Sequence, residues 1–503
     1  MKASASKRAL SLLLSLLMIV PAFTSCAQNN AEDETAANDS SVPSAEEETV
    51  AEEETEKPYR DNLPETMDFG GADIRFLSAE EKISIEIDDE TDTGDLVNNA
   101  YWQRSEALKG RTNANVVLAS QVGYGNLTNV ATQSITAGSD DYDVICGHTR
   151  FNMALAASNY MLDLNKHGFT DYIDISQSYW SDLYISNVNY KDHLYWLAGD
   201  MTHSFIAYIY AMFVNATLWN NLYPGESIYD VVLEGNWTLD TLNQYADGTY
   251  IDLNGDGTYD DNDSYGVIMQ QGHVLNGMVF AADIQYTGID ADGNYTAALN
   301  SEHTVDAFNK LHTLFYSTDY GRMLENAAFD GTCVTMFTGD RLLFCPNTFG
   351  FTSNEKIRDM ESDFYVIPLP KYDDTQENYR VNQYDGVPIY GAPTTIAEDK
   401  IPMIASVLEA MCSMTSDMVI PVYYDMALKN KYSRDQTTAQ MIDLIHDSIT
   451  ADFCFYWGDS LVGMMGFFYE NIQNAEIASK LKSMEKAWNK ALGRLLDKLE
   501  GNG

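Results

Sequence analysis

The sequence predicts an α/β fold built on a mostly parallel sheet. Short apolar runs of β-branched and aromatic residues alternate with amphipathic helical stretches in the first half of the chain. Hydrophobic residues make up 45% of the 503 residues, enough for a large core or two. Beyond the N-terminal leader no second long apolar run appears, so the body reads as a soluble one.

The elements follow in order. Lys2, Lys7 and Arg8 precede the apolar run Leu10–Phe23, which ends at Thr24-Ser25-Cys26. That run is shorter than the roughly 20 residues a permanent membrane span needs, and its flanks are those of a secretion signal. A Cys directly after small residues resembles a lipobox, which implies cleavage before Cys26 and acylation of its thiol. Phe23 departs from that pattern, and plain secretory cleavage nearby is the alternative. The leader is thus 1–26, and 27–67 reads as an acidic disordered linker. Residues 27–58 would span roughly 30 Å as a flexible coil, a stand-off from a membrane. Order is expected from Asp68. Ala72–Ser78 is a strand, and Asp95–Lys109 is an amphipathic helix stopped by Gly110. Asn115–Ala119 is a strand, Leu127–Ala137 a helix and Tyr142–Cys146 a strand. Further strands are expected at Ala211–Val214, Val334–Phe337 and Phe364–Ile367. Ile401–Met414 reads as a buried helix, and Ala475–Leu499 as a long amphipathic one.

Formal charge is −45, and the leader's three bases together with eleven acids and Lys57 in residues 27–58 leave −38 on the rest. Such a field repels phosphate backbones and argues against nucleic-acid binding. It is compatible with neutral or cationic ligands and suits solubility outside a cell. Of six cysteines, Cys146, Cys333, Cys345, Cys412 and Cys454 remain beside Cys26, none in a C-x-x-C pair. Cys333 and Cys345 could pair; buried free thiols are expected for most of the others.

Six segments then resemble one known family. Asp143–Phe151 resembles its strand ending in ligand contacts, and Leu194–Asp200 its crossing segment. Phe213–Trp219, Asn236–Leu242, Met336–Arg341 and Phe364–Lys371 follow its later signatures in order. The chain resembles the solute-binding proteins of carbohydrate ABC importers, the maltose-binding-protein-like group, over nearly all of 68–503. The resemblance implies a two-lobe periplasmic-binding-protein-like (class II) α/β fold with discontinuous lobes and hinge crossovers. Lobe one would take about 68–205 and 335–400, and lobe two about 206–334 and 401–503. It implies capture of a carbohydrate, an oligosaccharide by preference, with no catalysis. A monomer tethered outside the membrane would pass its cargo to the permease subunits.

Sugars present apolar ring faces and hydroxyl edges, which sites meet with aromatic rings and with Asp, Asn and Arg forks. The aromatic candidates are Trp180, Tyr195, Trp196 and Trp457. His148 and Arg150 follow a strand end, where open α/β sheets place ligands. Asp200 follows the Tyr-Trp crossing segment; Asp340 and Arg341 are either ligand contacts or an ordinary ion pair. Gly123–Thr128 echoes a phosphate loop but lacks its Lys. No H-E-x-x-H, G-x-S-x-G or Cys/His zinc pattern occurs, so no organic cofactor or hydrolytic centre is indicated. A surface glycan-binding or hydrolytic protein is the alternative, as is a binder of a peptide or cationic solute.

The sharpest local motif runs from Asp252 to Asp263. Asp252, Asn254, Asp256, Asp260 and Asp263 stand at positions 1, 3, 5, 9 and 12, with Gly257 at 6 and the Thr258 carbonyl at 7. That is the oxygen spacing of an EF-hand-like or dockerin-like Ca²⁺ loop, which here would serve a structural role. A metal-free polar turn is the other reading.

Overall fold

The computed structural model describes residues 59–80, 95–424 and 436–501. The leader, the acylation candidate Cys26 and residues 27–58 lie outside them. The end of the expected linker, Tyr59–Met67, is folded onto the body. The Arg111 fork meets Asp61 at 2.6 and 2.7 Å with both side chains buried, and its guanidinium lies 3.9 Å from the Tyr59 ring centroid. A buried guanidinium needs a carboxylate, and here the segment read as spacer supplies it.

The first sheet has strand order β11-β3-β1-β2, with β1 Ala72–Ala79, β2 Ala114–Val122, β3 Val144–His148 and β11 Pro388–Gly391. β1 runs parallel to β2 and β3, and β11 antiparallel to β3. The second sheet has order β10-β4-β9-β5-β8, with β4 Tyr210–Asn215, β5 Tyr265–Gln271, β8 Gly321–Glu325, β9 Leu342–Thr348 and β10 Phe364–Ile367. β5 is parallel to β8 and β9, while β4 is antiparallel to β9 and β10. A short hairpin, β6 Thr287–Ile289 and β7 Tyr295–Ala297, stands apart.

Early elements match the reading within a turn. Helix α1 is Leu96–Thr112, capped by Asp95, which accepts from the Val97 and Asn98 N–H groups. It runs through Gly110 and ends at Asn113, whose φ of 48° closes it. Helix α2 is Tyr124–Thr136, and α3, Thr149–Ala157, follows β3 directly. Helix α4 is His273–Ala281. Val334–Phe337 is not a strand but part of helix α5, Asn326–Thr338. Cys333, Val334, Met336 and Phe337 are all buried, a pattern that a four-residue window reads equally as strand. The strand here is β9, tied to α5 by the Cys333–Cys345 disulfide, and Cys146, Cys412 and Cys454 are buried free thiols.

The lobe boundaries also differ from those expected. β9 and β10, read as lobe one, pair in the second sheet, and the chain returns to the first only at β11. Helix α6, Ile401–Met418, read as lobe two, packs on α1, where Arg104 donates to the Thr415 hydroxyl at 3.0 Å. Leu194–Asp200 does not cross either, since Leu197 bridges Tyr390 of β11. The crossings lie at residues 205–209 and 381–387. Ile209 bridges Gln383 there, and the Tyr384 N–H donates to the Tyr208 carbonyl at 2.8 Å. A third strand of this waist joins at Val381, which exchanges hydrogen bonds with Ser448 and Thr450.

Between the two sheets runs the segment Phe453–Asn471. On one side the Tyr456 ring lies 4.6 Å from Tyr184 and Phe453 5.8 Å from Tyr190. On the other, Phe455 meets Phe280 at 4.8 Å and Tyr286 at 5.2 Å. The final helix, α7 (Ala478–Leu499), buries Leu481, Trp488, Leu492, Leu495 and Leu499 as its period requires.

Glu409, in the middle of α6 and 1% exposed, accepts from the Tyr179 hydroxyl and from the Trp180 indole N–H at 2.7 Å. Burial pushes its carboxyl up to about 7, against the pull of the two donors. The folded state therefore holds this proton more tightly than the unfolded chain. Wild-type stability from this group is full below about pH 4.5 and is lost as pH rises through 7. Glu409→Gln carries no such proton. Its stability relative to wild type should improve by on the order of 2–3 kcal/mol between pH 4.5 and 7.5 in denaturant titrations. Parallel pH profiles for the two proteins would refute the buried-acid account.

Candidate functional site

The C-terminal ends of β3 and β5 come together beside the waist, where the Tyr384 ring contacts both His148 and His273; the junction between the sheets at these strand ends, the cleft of this fold, is the position that α/β sheets offer to ligands. From the first sheet come His148, the last residue of β3, and Arg150 and Phe151 in the first turn of α3. Tyr124, at the start of α2 and 47% exposed, stacks on His148 with ring centroids 5.0 Å apart and planes within 4°. From the second come Gln271, the last residue of β5, and His273 opening α4. The waist adds Tyr208 and Tyr384. The Tyr384 ring lies 4.4 Å from His273, edge-on to His148 at 6.2 Å and to Tyr208 at 5.1 Å. Tyr384 folds back over Gly386, where a Cβ would come 2.4 Å from its ring, so only glycine fits there.

Charge in the cleft centres on Arg150. Its Nε donates to Asp459 Oδ2 at 2.9 Å and Nη2 to Oδ1 at 3.3 Å and to the Tyr469 hydroxyl at 3.4 Å. Nη1 stands 3.7 Å from Asp385, whose side chain is 6% exposed. Burial works against the Arg150 charge, but the Asp459 hydrogen bonds and the Asp385 field outweigh it, and the guanidinium stays charged. Burial pushes the Asp385 carboxyl up to about 6, with Arg150 pulling it back. Burial also lowers His148 and His273 to about 4, so both rings are neutral at physiological pH. Gln271 donates to the Tyr469 carbonyl at 3.0 Å and accepts from Gln473 at 3.2 Å. Flat aromatic faces thus stand beside one charged fork, neutral imidazoles and an amide.

No protein-family model and no curated protein matches the sequence. Solved structures do match. A substrate-binding protein of an ABC transporter from Listeria monocytogenes, in complex with cycloalternan, superposes with TM-score 0.55 at 12% identity, over 84% of this chain and 99% of that one. A solute-binding protein from Agrobacterium radiobacter with ribitol gives 0.53 at 13% identity, over 84% and 99%. UgpB from Mycobacterium tuberculosis with glycerophosphocholine gives 0.53 at 12%, over 85% and 98%. The fold is that of the two-lobe solute-binding proteins.

Within this solute-binding fold the expected site residues scatter. Only His148 and Arg150 reach the cleft. Trp196 and Trp457 are 0% and 1% exposed, and Tyr195 donates to the Leu499 carbonyl at 3.2 Å, so all three are packing residues. Large aromatics fill cores best, which is why the tryptophans went inward. Trp180 and Asp200 line a separate cavity of about 370 Å³, with Ile206, Ile209, Tyr424 and His446. Burial raises Asp200 to about 6 there, and the Ser416 hydroxyl donates to it at 2.7 Å. Asp340 and Arg341 lie between α5 and β9, at the opposite end of the sheet from Gln271. They are not paired with each other: Asp340 accepts from Asn215 and Ser362, and Arg341 donates to backbone carbonyls of Asp261 and Asp263.

Tyr124, Phe151, Tyr208, Gln271, His273, Tyr384, Asp385, Asp459 and Tyr469 were not singled out from sequence. The strand-end rule that found His148 would have found Gln271 and His273 behind the apolar run Tyr265–Met269. Tyr124 stood in the supposed phosphate-loop echo.

Arg150→Ala removes the cation facing Asp385, so the Asp385 carboxyl should titrate above 6. A folded-state value raised further makes the variant lose stability relative to wild type as pH rises from 6 to 8, by on the order of 1–3 kcal/mol. The double variant Arg150→Ala/Asp385→Asn should lack that slope. A slope that survives in the double variant would assign it to another group.

Proposed function

We propose that this chain is an extracytoplasmic solute-binding protein that captures a carbohydrate and delivers it to an ABC importer. One observation carries the reading: the end of β3 brings His148, Arg150 and Phe151, and the end of β5 brings Gln271 and His273, to the same place, where the waist adds Tyr384 and Asp385. Tyr124 and Phe151 offer ring faces, and Arg150, Gln271 and Asp385 offer the donors and acceptors that hydroxyl edges require. Cycloalternan and ribitol, held by similar structures, are ligands of this chemistry. The extended aromatic row from Tyr124 to Tyr208 favours an oligosaccharide over a single ring. Capture is closure of the two lobes about the paired waist, with no covalent step. Both cleft carboxylates face the same guanidinium, so they serve as its ion-pair partners rather than as a hydrolytic pair. Acylation of Cys26, with the acidic stretch as stand-off, would hold the monomer outside the membrane beside its permease. The acidic surface keeps the body in solution.

The test is thermal unfolding of the chain against an oligosaccharide panel, with product analysis. A cognate sugar at 100 times its dissociation constant adds about 2.7 kcal/mol of stability. Tyr124→Ala and Arg150→Ala should each weaken binding tenfold or more by calorimetry, and Trp180→Phe should leave it within twofold. No response to any sugar would defeat the carbohydrate reading, and release of shortened product would make the protein an enzyme.

A further inference from the structure

The loop before β5 has no part in the cleft, yet it is the most chemically specific stretch of the chain. Asp252, Asn254, Asp256, Asp260 and Asp263 keep the 1, 3, 5, 9, 12 spacing of a calcium loop. Gly257, at position 6, has φ +71°, the left-handed turn that spacing requires. Asp252 accepts from the Gly255 and Gly257 N–H groups at 2.7 and 2.8 Å, and Asp256 from Thr258 at 2.7 Å. Each of these carboxylate oxygens keeps a second lone pair for an ion.

An independent observation concerns Asp263. It is 0% exposed. Its Oδ2 accepts from the Tyr250 hydroxyl at 3.0 Å and the Asp260 N–H at 3.2 Å, which draws the carboxylate under the last turn of the loop. Its Oδ1 is buried with no hydrogen-bond donor. The nearby cations are spent elsewhere. Arg341 donates to the Asp261 and Asp263 carbonyls, and Arg322 pairs with Asp261 at 2.7 Å. A buried anionic oxygen without a donor calls for a cation.

We propose that this loop binds one Ca²⁺ through Asp252, Asn254, Asp256, the Thr258 carbonyl and Asp263, with Asp260 acting through water. No group of three or more His, Cys, Asp or Glu side chains among the described residues is drawn together as around an ion. All ligands are hard oxygens, one of them a backbone carbonyl, which suits Ca²⁺ and disfavours the smaller, rigidly octahedral Mg²⁺. Asp263 lies two residues before β5, whose other end carries Gln271 and the turn into His273. The ion would thus anchor the root of the strand that supplies the cleft.

The experiment titrates Ca²⁺, and separately Mg²⁺, into the full chain after chelator treatment, reading native mass and thermal midpoint. Expected is one tightly held Ca²⁺ per chain, a raised midpoint, and a response to Mg²⁺ at least tenfold weaker. Asp263→Asn and Asp256→Ala should each cut Ca²⁺ affinity tenfold or more. Asp256 is exposed, so its variant separates ligation from misfolding. Asp359→Ala removes an exposed charge elsewhere and should change affinity less than twofold. If Asp256→Ala titrates like wild type, or if Ca²⁺ binds without a one-to-one stoichiometry, the uptake belongs to the diffuse charge of −45 and the site is refuted.

Discussion

Backbone groups that cross from one sheet to the other must find hydrogen-bond partners outside either sheet, and here they find them in one another. Residues 205–209 and 381–387 lie side by side through the Ile209–Gln383 bridge and the Tyr384-to-Tyr208 hydrogen bond, with residues 448–450 alongside Val381. The candidate site is placed by that waist. It turns the ends of β3 and β5 toward the same gap. It also sets Tyr208 and Tyr384 at the floor between His148 and His273.

Electrostatics then decide what the gap can hold. The folded body is strongly acidic, yet its cleft keeps a charged guanidinium answered by Asp459 and a buried Asp385. The two imidazoles are kept neutral by burial, so each can donate at one nitrogen and accept at the other. A site with one cation already answered, neutral donors and ring faces suits polar, uncharged ligands better than anions.

Local features were legible in the sequence, and non-local ones were not. β1, β2 and β10 and helices α1, α2 and α7 announced themselves through periodicity and turn residues, because those signals lie within one element. Lobe membership did not, because it depends on which strand hydrogen-bonds which: β9 joins β4 and β5 across more than seventy residues. α5 was misread because its buried residues come in adjacent pairs. His148 and Arg150 were found by the strand-end rule, which is topological and general. The tryptophans were chosen for chemistry alone. Trp180 shows what that misses: its indole N–H is committed to Glu409 in α6, a partner 229 positions away.

The segment between the sheets has one further consequence. Asp452 accepts from the Tyr286 and Thr287 N–H groups and from the Thr287 hydroxyl, which fastens the start of that segment to the second lobe. A few residues on, Asp459 occupies the donors of Arg150 in the first lobe. The protein thus carries its own rival for the guanidinium, tethered at high local concentration. A ligand that used Arg150 would bind only in the fraction of molecules whose donors have been released, and its apparent affinity would be its intrinsic affinity scaled by that fraction. The same tether lowers the cost of keeping that guanidinium half-buried between the lobes, because its charge is already paired.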